Sequence, residues 1–367
     1  MRASNIKIET ETKKYSLIIG SNILEKLPNI LSNQKILFKK CLIVIDKNVP
    51  KKFKSLLINK LSKKKIFIYN FYAYEKNKNY KNVEKIHNIL FENRFNREDC
   101  LISFGGGITG DVVGFSASTF KRGIKFINIP STLLAQVDSS IGGKTGINNK
   151  FGKNLIGSFY QPDLVISDIK ILNSLPHREI VCGYAEILKS SLIDSFKKFN
   201  FLDKNLNKIL ELKTPYIEKA IFESCKIKKS IVEKDEKESG LRKILNFGHT
   251  FAHAYEATLG FSKKLNHGEA VLIGIVSALR FSLKNRFLKH QKFNKIIKHI
   301  EGLNLDLYLK KFFKLKDLKK IVDYMKMDKK NNTSKINLIL IKDIGKPIIN
   351  KKFHPKKIHQ FIKYELL

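Results

Sequence analysis

Cysteine is scarce in this sequence. The 367 residues contain four cysteines, Cys41, Cys100, Cys182 and Cys225, and no two of them form a C-x-x-C pair. Such wide spacing favours neither a disulfide framework nor a cysteine-ligated zinc site. Any metal chemistry must therefore use other side chains.

Long apolar runs are also missing. The longest lies near residues 271–276 and is far too short for a bilayer, which takes about 20 residues. Residues 1–9 lack the apolar core of a signal peptide. A chain of this length with 43% hydrophobic residues can build one large or two ordinary domains. We expect a cytoplasmic globular protein with no membrane partner.

Acidic residues are few. There are 33 against 70 basic residues, which gives a formal net charge of +37, and strongly basic proteins commonly bind nucleic acid. Only eight of the basic residues are arginine, and the lysines are scattered among Ile, Asn and Phe. That pattern is more typical of a compositional bias toward A- and T-rich codons than of a basic stripe that binds nucleic acid. We expect no specific nucleic-acid partner, and a nucleic-acid-binding protein stays open as an alternative.

The order of apolar patterns predicts two domains. Short apolar runs at 41–46, 66–72, 101–104, 126–129 and 164–167 are spaced by helical patterns, which indicates a mostly parallel α/β sheet. Helical periods dominate after residue 176, at 180–192, 216–233, 247–259 and 270–287, with a late strand at 336–341. We predict a Rossmann-like domain over 1–172 and an all-α domain over 173–367. A substrate site is expected between them.

Three of the nine histidines, His249, His253 and His267, fall in one short window. Imidazole suits zinc and similar metals, and a catalytic zinc typically takes three protein ligands. On a helix, His249 and His253 would share one face. If His249 and His253 stood alone, an ordinary buried helix whose histidines are hydrogen-bonded would be the better explanation. Two further features favour the metal site.

The first feature is a glycine turn at residues 101–111. A short apolar run leads into Gly105, Gly107 and Gly110 at G-x-G-x-x-G spacing, and a helical pattern follows. Such a turn brings backbone N–H groups and a helix N-terminus to a phosphate. The acidic residue usual about twenty positions later is absent. The alternative is a tight turn with no ligand.

The second feature is a polar stretch at residues 121–154. It combines Arg122, Lys144 and Lys153 with glycines, small hydroxyls and Asp138. Arginine can bind two oxygens at once and lysine offers a compact charge, so the segment suits anion binding. The alternative is a solvated basic loop.

Together these residues give a specific family resemblance. Residues 105–115, 121–123, 130–145, 152–162, 175–179, 183–189 and the histidine block resemble 3-dehydroquinate synthases. The likeness covers nearly the whole chain and is strongest over 101–274. It implies a dehydroquinate synthase-like fold, an α/β NAD-binding domain plus an all-α metal-binding domain, and usually a homodimer.

The resemblance also implies a particular ligand set. The metal, zinc or cobalt, would be held by Glu186, His249 and His267. His253 then becomes a substrate-contacting acid/base group and not a third histidine ligand.

The resemblance further implies two groups of binding residues. NAD would be bound by Asp46, Asn48, Ala73, Tyr74, Glu75, Lys76, Asn77, Lys78, Gly107, Ile108, Thr109, Gly110, Asp111, Ser131, Thr132, Lys144, Lys153, Ile171, Leu172, Asn173 and Ser174. The substrate would be bound by Arg122, Asp138, Lys144, Asn154, Lys189, Lys228, Arg242, Asn246, His253 and Lys346.

The implied reaction converts 3-deoxy-D-arabino-heptulosonate 7-phosphate to 3-dehydroquinate and phosphate. It proceeds through alcohol oxidation, phosphate elimination, carbonyl reduction, ring opening and aldol closure, so NAD is regenerated. A related sugar-phosphate cyclase and a metal-dependent polyol dehydrogenase remain alternatives.

Overall fold

The computed structural model describes residues 3–327 and 335–367. Its strands are β1 (Ser4–Glu9), β2 (Lys14–Gly20), β3 (Lys40–Asp46), β4 (Lys65–Phe71), β5 (Cys100–Gly105), β6 (Lys125–Pro130), β7 (Lys144–Asn149), β8 (Gly152–Phe159), β9 (Leu164–Asp168), β10 (Ile336–Asp343) and β11 (Lys346–Phe353). Its α-helices are α1 (Leu27–Asn33), α2 (Lys51–Lys60), α3 (Tyr80–Glu92), α4 (Gly107–Thr119), α5 (His177–Asp194), α6 (Phe196–Leu210), α7 (Tyr216–Val232), α8 (His249–Thr258), α9 (His267–Lys284), α10 (His290–Glu301), α11 (Leu309–Phe312), α12 (Leu318–Lys326) and α13 (Pro355–Leu366).

The elements confirm the predicted order of strands and helices. The five predicted strands of the first half are β3, β4, β5, β6 and β9, and the four predicted helices are α5, α7, α8 and α9. The late strand is β10. Sequence patterns missed the β1–β2 hairpin, the β7–β8 hairpin within the polar stretch, and β11.

One seven-stranded sheet organises the first part of the chain. Its order is β1-β2-β9-β6-β5-β3-β4, and all neighbours are parallel except β1 and β2. The chain runs outward from β3 to β4 and then returns to β5 on the other side of β3. This reversal creates a crevice at the carboxyl ends of β3 and β5, where such sheets bind ligands.

Both faces of the sheet are covered by helices. Ile43 and Ile45 of β3 pack into a cluster with residues of α1 and α2, while Leu42 and Val44 pack into another with residues of α3 and α4. Successive strand side chains point to opposite faces, so a continuous apolar run is what a doubly covered strand requires. The Rossmann-like α/β class is therefore what the structure shows.

The contacts divide the chain into two compact units. The first contains 1–180 and 221–237, and the second contains 181–220 and 238–367. These units differ from the predicted limits of 1–172 and 173–367, because residues 221–237 group with the sheet. The predicted limits themselves stay a prediction.

A buried carboxylate attaches residues 221–237 to the sheet. Glu236 accepts hydrogen bonds from the backbone N–H of Thr12 at 3.1 Å and from Nε2 of Gln161 at 2.6 Å. Close by, Glu233 accepts from the N–H of Glu9 at 2.7 Å. The turn between β1 and β2 is thus held by acidic side chains just after α7.

Helices α8 and α9 pack closely in the second unit because glycine lies at their contact. A Cβ on Gly274 would lie 2.3 Å from the carbonyl oxygen of Gly248. Likewise, a Cβ on Gly268 would lie 2.2 Å from Cα of Cys182, on α5. These contacts bring the start of α8 against the middle of α9, and the start of α9 against α5. Over the described ranges, no helix has both the length and the apolar character needed to cross a bilayer.

Replacing Glu236 with glutamine should destabilise the protein in a pH-dependent manner. Burial raises the pKa of this carboxyl, but the hydrogen bonds from Thr12 and Gln161 outweigh burial and lower the pKa below its ordinary 4.5. We expect Glu236→Gln to lose about 2 kcal/mol of unfolding free energy at pH 7, the scale of hydrogen bonds to a charged group. A carboxyl whose pKa is lowered in the folded state stabilises the folded protein above pH 4.5. This stabilisation is lost as the pH falls through the folded-state pKa.

Urea unfolding at pH 7 and in acid measures this difference. Glu11→Gln is the matched control, since Glu11 is an exposed carboxylate in the same turn. A Glu236→Gln deficit that is equally large in acid would contradict the assignment.

Candidate active site

Three potential metal ligands meet in the second unit. One ligand atom each from Glu186, His249 and His267 lies within 4.8 Å of the others. Oε1 of Glu186 is 3.4 Å from Nε2 of His249 and 3.8 Å from Nε2 of His267. A carboxylate and two imidazoles form a three-ligand set that leaves a position open, as a catalytic zinc site requires.

Helix starts place both histidines. His249 is the first residue of α8, and Gly248 before it has φ 79°, a left-handed conformation that favours glycine. His267 is the first residue of α9, whose start is fixed by a capping box between Asn266 and Glu269. The local sequence therefore determines that each histidine stands at the first position of its helix.

The surroundings of these side chains fit a metal. Nδ1 of His249 lies 3.2 Å from the carbonyl of Phe247, and Nδ1 of His267 lies 3.2 Å from Oε2 of Glu256. Such contacts orient metal-binding histidines with Nε2 toward the ion. Both oxygens of Glu186 are buried: Oε2 pairs with Nζ of Lys189, and Oε1 faces Nε2 of both histidines. A metal ion bound between Oε1 and the two imidazoles would compensate the burial of this oxygen.

The charges of the group follow from its burial and its neighbours. Burial opposes ionisation of Glu186, but Lys189 and His249 outweigh burial and hold its pKa well below the usual range. Burial and Lys189 lower the pKa of His249, against the opposing effect of Glu186. Burial also opposes charge on His267, yet Glu256 and Glu186 raise its pKa to about 10.

His253 lies beside the group but does not belong to it. Its ring centroid is 5.3 Å from that of His249 and 6.4 Å from that of His267, onto which it stacks. The side chain is exposed. The arrangement agrees with Glu186 as the third ligand and with His253 as a neighbouring acid/base group. Its role stays a prediction.

Except for Lys144 and Lys153, which belong to the β7–β8 hairpin, the predicted cofactor residues lie at or just after the carboxyl ends of parallel strands. They lie after β3 (46 and 48), β4 (73–78), β5 (107–111), β6 (131 and 132) and β9 (171–174). Carboxyl ends of parallel strands share one edge of a sheet, so the structure brings these residues to that edge. Sequence reasoning could name them only through the resemblance.

The glycine turn fits a phosphate group. A Cβ on Gly105 would lie 2.5 Å from Oγ1 of Thr109, and one on Gly107 would lie 3.0 Å from Oγ of Ser139. No side chain caps the N-terminus of α4, which Gly106 precedes. The first N–H groups of α4 therefore remain available to an anion at the ligand-binding edge.

A buried lysine connects several predicted residues at this edge. Nζ of Lys78 lies 2.5 Å from both Oδ2 of Asp111 and Oδ1 of Asn154. Asn148 joins the same network: its amide donates to Oε1 of Glu75 at 2.7 Å, and its Oδ1 accepts from the N–H of Asn154 at 2.9 Å. In addition, Lys153 lies 3.3 Å from Glu75.

Few of the described lysines are buried, and these differ from the many exposed ones. The sequence has 62 lysines, and in the described part of the chain three of them are buried, Lys78, Lys189 and Lys228. Each was predicted as a site residue. Lys189 pairs with Glu186, and Nζ of Lys228 is 2.5 Å from Oδ1 of Asp138 in a π-helical turn. Buried lysines are rare without a specific partner.

The remaining predicted substrate residues differ in burial. Arg242 is buried, and Asn246 donates to Oε1 of Glu238 at 2.6 Å. Lys144, at the start of β7, and Lys346, at the start of β11, are exposed. Their assignment to the substrate stays a prediction.

Arg122 lies away from the nucleotide edge. It follows α4, whose 13 residues span about 20 Å, and precedes the amino end of β6. Lys121, Arg122 and Gly123 have φ values of 47°, 63° and 126°, a strained left-handed run. Hydrogen bonds from Arg97 to the carbonyl of Lys121 and from Lys121 to that of Phe95 hold the loop. The structure does not bring the exposed Arg122 to the glycine turn of its own chain.

Sequence reasoning missed two residues of these networks, Glu256 and Asn148. Glu256 stands seven positions after His249, a spacing that places both on one helix face. That spacing could have found it. Asn148 left no comparable signal, because a single asparagine in a polar stretch is ordinary.

Family models match both halves of the chain. The model for 3-dehydroquinate synthase N-terminal matches residues 68–182, and that for 3-dehydroquinate synthase C-terminal matches residues 183–331. The chain is 59% identical over 361 residues to the 3-dehydroquinate synthase of Pelagibacter ubique, with 98% of each chain covered. It is 44% identical over 359 residues to that of Dictyoglomus thermophilum, with 98% of this chain and 97% of the relative covered.

Solved structures share the fold. One is 2-deoxy-scyllo-inosose synthase complexed with carbaglucose-6-phosphate, NAD+ and Co2+, with a TM-score of 0.88 at 24% identity, covering 98% of this chain and 100% of its own. Another is 2-epi-5-epi-valiolone synthase from Streptomyces hygroscopicus with NAD+ and Zn2+ bound, with a TM-score of 0.82 at 22% identity, covering 100% and 99%.

The sheet and the helical part have the dehydroquinate synthase-like fold. Within that class, the two matched domains and the 59% identity over nearly the whole chain show that the chain belongs to the 3-dehydroquinate synthase family.

Removing any one of the three ligands should abolish tight metal binding. Glu186→Gln, His249→Ala and His267→Ala each take charge or geometry from a three-ligand set. Elemental analysis of the purified variants should show zinc or cobalt far below one equivalent. His253→Ala is the matched control and should keep its metal, since His253 lies outside the ligand group. Full occupancy in all three ligand variants would place the metal elsewhere.

Proposed function

We propose that this chain converts 3-deoxy-D-arabino-heptulosonate 7-phosphate to 3-dehydroquinate and phosphate. The observation that carries the proposal is the group of Glu186, His249 and His267 in a chain of the 3-dehydroquinate synthase family. NAD and a divalent metal, zinc or cobalt, are the cofactors that this reaction uses.

The ligand group would hold the metal, and the nucleotide edge would hold NAD. When bound, the metal polarises the hydroxyl being oxidised, and NAD accepts the hydride and later returns it. The free N–H groups at the start of α4 support pyrophosphate binding at the glycine turn. His253 presents an exposed imidazole next to the ligands, where it can take or give a proton.

Buried cations support a phosphate-bearing substrate. Lys189 and Lys228 pair with Glu186 and Asp138, and such preorganised donors stabilise developing negative charge. Simple alcohol oxidation has less need of them. The sheet-edge network of Lys78, Asp111 and Asn154 can position residues that face the cofactor and the substrate.

We propose that the protein works as a homodimer in the cytoplasm, with a small-molecule substrate and no specific nucleic-acid partner. The position of Arg122 supports the dimer. If this exposed guanidinium binds substrate phosphate, about 20 Å of helix separates it from the glycine turn of its own chain. The guanidinium would then bind substrate phosphate in the site of a neighbouring copy.

Arg122→Ala should lose about 2–4 kcal/mol of transition-state stabilisation in kcat/KM, as expected for a lost charge-assisted donor to phosphate. Lys63→Ala is the control, because Lys63 is an exposed background lysine, and it should change kcat/KM little. Equal losses in both variants would indicate bulk charge and not a local phosphate contact. Mixing the inactive variants Arg122→Ala and His249→Ala extends the test. If Arg122 serves the neighbouring copy, mixed dimers contain one intact site and about a quarter of wild-type activity returns.

Hydride accounting separates this reaction from that of a dehydrogenase. With the heptulosonate phosphate and NAD in catalytic amount, phosphate should accumulate over many turnovers while NADH absorbance stays flat, because the hydride returns within each cycle. Chelator should stop phosphate release, and metal should restore it. One NADH per substrate, with no phosphate beyond the NAD added, would indicate a polyol dehydrogenase. Turnover of a hexose phosphate alone would indicate a related cyclase.

A further inference from the structure

We infer that Glu256 is a positioning residue for the metal group, acting through His267. Its carboxylate accepts a hydrogen bond from Nδ1 of His267 and thereby turns Nε2 toward Glu186. The inference rests on the metal site of the proposed function and adds a fourth residue that never touches the metal.

The helix period places Glu256 where this contact is possible. His249 and Glu256 are seven residues apart on α8, so they project within about 20° of each other, two turns apart. One stripe of α8 thus carries both a ligand and the acceptor for a second ligand. The ring of His267 lies between two carboxylates, with Nδ1 3.2 Å from Glu256 and Nε2 3.8 Å from Glu186.

Burial makes this carboxylate more than a surface partner. The side chain of Glu256 is 10% exposed, and that of His267 is 32% exposed. An ionised carboxylate withdrawn from water is costly unless a donor compensates it. When His267 gives its Nε2 lone pair to a metal, Nδ1 keeps a proton, and Glu256 is the acceptor in place for it.

The two histidines differ in their acceptors. Nδ1 of His249 faces the neutral carbonyl of Phe247, whereas Nδ1 of His267 faces an anion. An anionic acceptor makes the imidazole a more basic ligand and adds negative charge near the cation.

Metal affinity of the apoprotein tests the inference without any activity assay. We expect Glu256→Ala to raise the Kd for Co2+ and Zn2+ by about 10- to 100-fold, the usual effect of removing such an acceptor. Glu256→Gln keeps an acceptor oxygen but loses the charge, so its Kd should rise by a smaller factor, about threefold or more. Chelator competition gives the Kd, and the visible spectrum of the Co2+ form reports the ligand geometry.

Glu365→Gln is the matched control. The side chain of Glu365 is 8% exposed and pairs with Arg280 at 2.5 Å in the same unit, outside the ligand group. It should lower the unfolding temperature and leave the Kd and spectrum unchanged. An equal rise in Kd in this control, or a Glu256→Ala Kd within twofold of wild type, would overturn the inference.

Two further outcomes keep the test decisive. If Glu256→Ala does not fold, Glu256→Gln decides alone, and an unchanged Kd with an unchanged Co2+ spectrum rejects the role. If the wild-type protein binds no metal, or His249→Ala binds it as tightly as wild type, the proposed metal site fails together with the inference. If the wild-type protein binds metal tightly and the Glu256 variants have the same Kd, the role of Glu256 is rejected and the metal site of the proposed function stands.

Discussion

The burial of one carboxylate, Glu186, is the constraint on which the candidate metal site depends. An isolated ionised group in the interior is very costly, so positive charge must surround it. Lys189 pairs with it, and the two imidazoles face its other oxygen. Lys189 lies on the same helix, a left-handed glycine precedes His249, and a capping box precedes His267. Close helix packing through Gly268 and Gly274 brings these residues together.

Desolvation also distinguishes three lysines in a chain with a net charge of +37. An exposed lysine is screened by water and salt and has no fixed direction. Lys78, Lys189 and Lys228 are instead buried against oxygen acceptors that hold their positions. The excess of lysine elsewhere then needs no role in catalysis, and composition alone is a poor guide to partners here.

The parallel sheet separates the two ends of each strand. Every predicted cofactor residue outside the β7–β8 hairpin follows a carboxyl end, while Arg122 precedes the amino end of β6. A resemblance between sequences carries residue identities but not this distance, because Arg122 and the glycine turn are only about a dozen positions apart in the chain. Once α4 forms, that short separation becomes about 20 Å.

The sequence by itself determined the doubly covered strands, the helical second half, the glycine turn and the residue types of the ligand group, since periodicity and motif spacing are local properties. It missed the two hairpins β1–β2 and β7–β8, whose strands alternate or carry polar residues and lack an isolated apolar run. The resemblance already implied Glu186 and not His253 as the third ligand. Only the tertiary structure brings the ligand atoms of Glu186, His249 and His267 within 4.8 Å of one another, places Glu256 beside His267, and buries three lysines among the described residues. These depend on contacts between residues far apart in the chain, which packing and desolvation select.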